Sequence, residues 1–170
     1  MQIIWAGVCA AALLLASAPA DGAPKRVASL NLCTDELLLA LAAPGQIVSI
    51  SHLSRKAEET PYWRAARAYP ANDGSLLSVV ARKPDLVLTM GGSGRDTARI
   101  AARIGARLLT LPYAGSLAEM KAGVRKVAAA LGRGEAGESL LRPLEAMERS
   151  LPATAIDTIW LGGGGRSLAA

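Results

Sequence analysis

From residue 25 onward, short β-branched or leucine-rich runs alternate with longer stretches in which apolar side chains recur every three or four positions. The short runs predict strands at 26–30 (RVASL), 47–51 (IVSIS), 86–89 (LVLT) and 107–111 (RLLTL), since bounded apolar runs of this length suit a sheet buried on both faces. The longer stretches predict helices at 34–42, 75–81, 95–104, 117–131 and 135–151. A shorter helix is expected at 62–68, inside a polar excursion from 52 to 74 that closes on the turn sequence PANDG at 70–74. Asp35 and Glu36 fall in the first turn of the first helix, where carboxylates complement its dipole. In 117–131, Leu117, Met120, Val124, Val127 and Leu131 share one face. Pro143 predicts a kink within 135–151, because it lacks an amide and crowds the preceding turn. One more strand is expected at 156–161 (IDTIWL), followed by a glycine-rich turn. Strands alternating with helices at this spacing predict an α/β fold: a parallel-sheet lobe with flanking helices, followed by a long connector helix.

Composition agrees with a folded domain, with 51% apolar and 19% charged residues in 170. Residues 1–20 stand outside this pattern. They carry no charged side chain, hold a continuous apolar core at 3–15, and end in Ala18-Pro19-Ala20, small residues suited to cleavage. We read them as a signal peptide, which makes the mature protein periplasmic. Removing that leader takes Cys9 with it and leaves Cys33 as the single thiol, so an intramolecular disulfide is not expected. The net charge of +5 comes from Lys and Arg scattered over the helices with few aromatics between them, the pattern of solvated faces and not of a nucleic-acid stripe.

Ligands of open α/β sheets gather at the carboxyl ends of the strands, which points to the segments 31–34, 52–54, 90–94 and 112–113. The candidate ligand contacts are therefore Asn31, Leu32, Cys33, His52, Met90, Gly91, Gly92 and Tyr113. Cys33 lies at a helix start, where backbone amides would favour a reactive thiolate, yet the single histidine is nineteen residues away and no orienting carboxylate is evident. The MGGSGRD segment at 90–96 joins a strand to a helix and its amides could hold an anion, but it lacks the lysine and hydroxyl of a P-loop and the spacing of a dinucleotide fingerprint. Tyr62, Trp63, Tyr69 and Tyr113 are available to stack on a flat ligand, with Trp63 and Tyr69 equally suited to anchoring the excursion.

The stretches RVASLNLCTDELLLAL (26–41), IVSISHLSR (47–55), YPANDGSLLSVVARKPDLVL (69–88) and SLAEMKAGVRKVAAALGR (116–133), in that order, resemble the periplasmic substrate-binding proteins of iron-siderophore and cobalamin ABC importers. The resemblance implies two α/β lobes joined by one long helix, with the ligand held between them and little hinge closure. On that basis 1–20 is a signal peptide, 21–133 an N-terminal lobe, 134–152 the connector helix and 153–170 the start of a second lobe cut short, so that the sequence covers half of a two-lobed binding protein. It implies a non-enzyme that carries an iron chelate (siderophore or haem) or a corrinoid, with no resident cofactor and no structural metal, and that meets an ABC permease at the inner membrane. It also places His52 on the ligand face, where an imidazole can ligate or hydrogen-bond a metal chelate. One departure bears on the partner: Leu77 stands where the family presents a permease-contacting glutamate, which puts that docking in doubt, with Asp73, Glu58 or Glu59 as the available substitutes. With half the clamshell present, weak or no chelate binding is expected, and the last strand is expected to be an edge prone to association. The alternatives are a small exported α/β enzyme or anion-binding domain using Cys33 or the Gly91–Gly94 loop, and a single-lobe interaction module without a small ligand.

Overall fold

The computed structural model describes residues 22–92 and 94–151. The leader expected at 1–20 and the strand expected at 156–161 lie outside the described residues. The strands are β1 (Val27–Ser29), β2 (Ile47–Ser51), β3 (Ala71–Asn72), β4 (Leu86–Met90) and β5 (Arg107–Leu111). The helices are α1 (Leu32–Leu41), α2 (Trp63–Ala66), α3 (Gly94–Arg103), α4 (Leu117–Ala130) and α5 (Gly134–Ser150), with 3-10 turns at His52–Arg55 and Leu77–Arg82. All strand pairs are parallel, and the sheet order is β3-β2-β1-β4-β5.

Alternation along the central strands divides the core into two layers. Val27, Leu86 and Leu88 point to the side of α1, α4 and α5, where they meet Leu38, Leu41, Val127, Leu131 and Leu141. Ala28 and Val87 point to the other side, against Leu76, Val79 and Ala101. Each fully buried leucine or isoleucine of this set contributes roughly 1.5–3 kcal/mol.

Polar groups set the register at the amino ends. The Asp85 carboxylate accepts from the Lys25 amide at 2.7 Å and the Arg26 amide at 3.1 Å, which ties the entry of β1 to the start of β4. That is the task of the aspartate in the KPDLVL segment. Helices α3 and α4 end on glycines in the left-handed region, Gly105 at φ +72 and Gly132 at φ +70. In both, the next residue's amide reaches back across the last turn, Ala106 to the Ala101 carbonyl and Arg133 to that of Ala128. These paired bonds close the helices and reverse the chain.

Three expectations need correcting. Helix α1 begins at Leu32, two residues before the predicted 34, because the Asn31 side chain accepts the Cys33 amide at 3.0 Å and caps it there. Residues 70–74 are not a turn alone: β3 pairs with β2 through Ile50↔Ala71 and Ser51↔Asn72. The helix expected at 75–81 is the 3-10 turn Leu77–Arg82, halted by Lys83 in the left-handed region at φ 47 ahead of Pro84. Helix α5 runs through Pro143 as a single element.

Candidate functional site

The sheet order makes the chain wind one way from β1 to β3 and the other way from β4 to β5, so the direction reverses between β1 and β4. Crevices at such a switch point are where open α/β sheets take ligands. Asn31 follows β1, and Met90 ends β4 with Gly91 and Gly92 after it, so they flank that crevice.

Two cavities open here, one on each face of the sheet. The larger, about 610 Å³, lies between α1 and α4 over the ends of β4 and β5, and its walls include Cys33, Leu37, Met90, Leu111, Tyr113 and Met120. The smaller, about 430 Å³, includes Asn31, Leu76, Thr89, Met90, Gly92 and Ile100. Met90 belongs to both. Of the residues expected from the sequence, Cys33, Met90 and Tyr113 therefore come together in one cavity, and Asn31, Met90 and Gly92 in the other. Leu32 is half-buried in the first turn of α1 and lines neither.

Gly91 explains how Tyr113 is held. Its backbone sits at φ +74, and its amide donates to the Leu111 carbonyl at 2.9 Å. A Cβ at this position would stand 2.7 Å from the Tyr113 hydroxyl and 2.8 Å from the ring. The hydroxyl end of the ring thus rests against a bare backbone while the side chain stays 73% exposed. An exposed aromatic supported from beneath can stack on an incoming planar or apolar group.

At the other end of the rim the polar side chains bond inward. Asp35 is fully buried and accepts from the Ser51 amide at 3.1 Å, the Ser51 hydroxyl at 2.5 Å and the Ser54 hydroxyl at 2.6 Å. Burial pushes its pKa above the ordinary carboxylate range, against the lowering effect of the serine donors. Asn72 donates to the Ser29 carbonyl at 2.8 Å and to the Ser49 hydroxyl at 3.0 Å, spanning β3, β2 and β1. His52 stands at this end, exposed, with Nδ1 3.3 Å from the Asn72 carbonyl, and lines neither cavity. Trp63 is covered by the guanidinium groups of Arg64 and Arg67, 4.3 and 4.6 Å from its ring centre, and Tyr69 packs on the core, so both anchor the excursion.

The Cys33 thiol is pushed up, first by burial and next by the charge of Glu36, which keeps it protonated at neutral pH. That is the wrong direction for a nucleophile. Among the described residues there is no group of three or more His, Cys, Asp or Glu side chains that could hold a metal ion.

Sequence reasoning missed Glu36, Met120 and Glu119 as cavity residues. Met120 was legible as part of the apolar face of α4, but that face is wider than the core it covers, and its amino end looks into the cavity. Glu119 also completes the cap of α4: the Ser116 hydroxyl accepts its amide at 3.2 Å, and its carboxylate accepts the Gly115 amide at 2.7 Å. The Ser116-to-Glu119 spacing was the available signal.

No family model matches the sequence, and no curated protein matches it. Among solved structures, the chain is similar to a periplasmic heme-binding protein from Pseudomonas aeruginosa, at 19% identity and a TM-score of 0.61 over 74% of this chain and 45% of that one. It is similar to a periplasmic solute-binding protein from Veillonella parvula, at 18% identity and a TM-score of 0.61 over 77% and 45%. It is also similar to the siderophore-binding protein BauB, solved with two acinetobactin molecules and ferric iron, at 16% identity and a TM-score of 0.59 over 76% and 48%. The chain spans about half the length of the solved structures it matches. At these identities the likeness establishes the fold, one α/β lobe of the kind found in periplasmic binding proteins.

Proposed function

We propose that this chain is the N-terminal lobe and connector helix of the solute-binding component of an ABC importer, exported to the periplasm, whose cargo is an iron chelate (siderophore or haem) or a corrinoid. The observation that carries this reading is the meeting of Cys33, Met90 and Tyr113 on one largely apolar cavity at the carboxyl ends of the strands. The fold's likeness to half of heme- and siderophore-binding periplasmic proteins supports it. In this reading residues 1–20 direct export, 134–152 connect the lobes and 153–170 open the second lobe. Met90, Tyr113 and Cys33 contact the cargo from the larger cavity, with Asn31, Gly91 and Gly92 beside them. The permease is the partner, and Leu77, 68% exposed on the rim side of the Leu77–Arg82 turn, takes the place of an acidic contact there.

A lobe that supplies half the contacts binds its cargo weakly, with a dissociation constant above about 1 µM. The test is a titration of residues 21–170, carrying ¹³C-methyl methionine, with gallium trihydroxamate, gallium tris-catecholate, haemin and cobalamin. Met90 and Met120 line the cavity, whereas Met147 is 59% exposed on α5 and serves as the reference. Movement of the Met90 and Met120 signals with Met147 still is the expected result. Stationary signals with every chelate at millimolar concentration would overturn cargo contact by this cavity, and a dissociation constant well below about 1 µM would overturn the half-contact reading.

A further inference from the structure

The electrostatics of this rim bear on which chelates the lobe receives, a question that rests on the binding role proposed above. Helices α1, α3 and α4 all start at the carboxyl ends of the strands, and a free helix N-terminus offers partial positive charge to an anion. Here each start already holds a carboxylate of its own. Helix α1 has Asp35 and Glu36, the latter accepting the Thr60 hydroxyl at 2.6 Å. Helix α3 has Asp96, paired with Arg99 at 2.7 Å. Helix α4 has Glu119 on the Gly115 amide.

Carboxylates outnumber cations on the walls as well. Among the described residues, the charged side chains lining the larger cavity are Glu36, Glu119 and Lys126, and the smaller is lined by Asp96 alone. Lys126 lies seven residues beyond Glu119 on α4, about 10 Å further along the helix from its start at the carboxyl ends of the strands. Of the basic residues near the carboxyl ends of the strands, Arg99 is paired with Asp96 and Lys121 with Glu148, while Arg95, exposed in the first turn of α3, lines neither cavity. The Cys33 thiol at the lip is pushed up first by burial and then by the charge of Glu36, with a lesser contribution from Asp35. Between the carboxylates the wall is Leu37, Met90, Leu111, Tyr113, Met120 and Val124.

We infer that this lobe receives an uncharged or cationic chelate with apolar edges, as a ferric trihydroxamate or a corrinoid presents, and discriminates against polyanionic chelates of the catecholate class. Carboxylates on the wall of a largely apolar cavity are the repulsive element that specificity against an anion needs.

Two gallium chelates of similar size and different charge decide the matter in the same methionine titration. Neutral gallium trihydroxamate is expected to move the Met90 and Met120 signals at a concentration at least about ten-fold lower than the trianionic tris-catecholate. Added salt should narrow that ratio through screening. The double variant Glu36→Gln with Glu119→Gln should narrow it too, since glutamine keeps an acceptor for Thr60 and Gly115 while removing both charges. If that variant does not fold, the rank order and salt response of the unaltered chain decide alone. Equal or tighter binding of the catecholate, seen at Met90 and Met120, would overturn this inference and leave the binding role standing. Signals that move with no chelate at all would remove the role itself and this inference with it.

Discussion

At the β1–β3 end of the rim, the residues past the strands are tied down by buried polar groups: Asp35 to Ser51 and Ser54, and Asn72 to Ser29 and Ser49. At the β4–β5 end the segments past the strands are glycine, methionine, proline and tyrosine, and they border an open apolar cavity. The polar end resists change because each group there would be left unpaired if its partner moved. The apolar end presents exposed surface whose contacts are not yet made. A binding lobe needs both, one end to hold the frame still and the other to offer area to something that arrives.

The largest expected effect breaks the polar end. Asp35→Ala strands the Ser51 amide and two serine hydroxyls in the interior and should cost about 2–4 kcal/mol, read as a drop in urea midpoint. A loss below the error of the measurement would mean that this network does not carry the frame. Next comes Gly91→Ala at the apolar end, where a left-handed backbone and the overlying phenol both oppose a side chain. It should cost roughly 1–2 kcal/mol and shift the near-ultraviolet circular dichroism as the Tyr113 ring swings out. An unchanged spectrum would show that the ring is not seated on Gly91.

A third prediction concerns pH. The folded pKa of Asp35 is raised, so its contribution to stability is fully present below the unfolded pKa and is lost as pH rises through the folded value. The stability difference between the unaltered protein and Asp35→Asn should therefore move against the unaltered protein as pH is raised from about 4 toward neutrality. A flat difference would place the Asp35 pKa at its ordinary value. The smallest effect belongs to neither end. Arg125→Ala removes the exposed pairs to Glu138 and Glu145, and its slight change in thermal midpoint should fade in high salt.

The same contrast explains what was legible in the sequence. Strands 47–51 and 107–111 were read to the residue, because their apolar runs are bounded by turn signals and their burial is local in pattern. β3 was missed since two residues carry no period, and the reason they pair is Asn72, which bonds Ser29 forty-three positions earlier. Asp35 was read as a dipole partner, yet its carboxylate serves Ser51 and Ser54, sixteen and nineteen residues on, a relation that exists only after folding. At the apolar end Met90 to Gly92 and Tyr113 follow directly from where strands end, and Cys33, Met90 and Tyr113 share one cavity. His52 follows from the same rule but belongs to the other end of the rim, two strands from β4.

Helix α5 is clamped along α4 rather than free beside it. Gly137 packs so tightly that a Cβ there would come within 2.5 Å of the Ala128 side chain, and further up Arg125 holds both Glu138 and Glu145. Near its end Lys121 takes Glu148 at 2.6 Å, close to the start of α4 and so on the rim side of the lobe. Mechanically, α5 is a splint and not a lever. A load applied at Leu151 therefore passes into α4 through these ties instead of bending α5 alone.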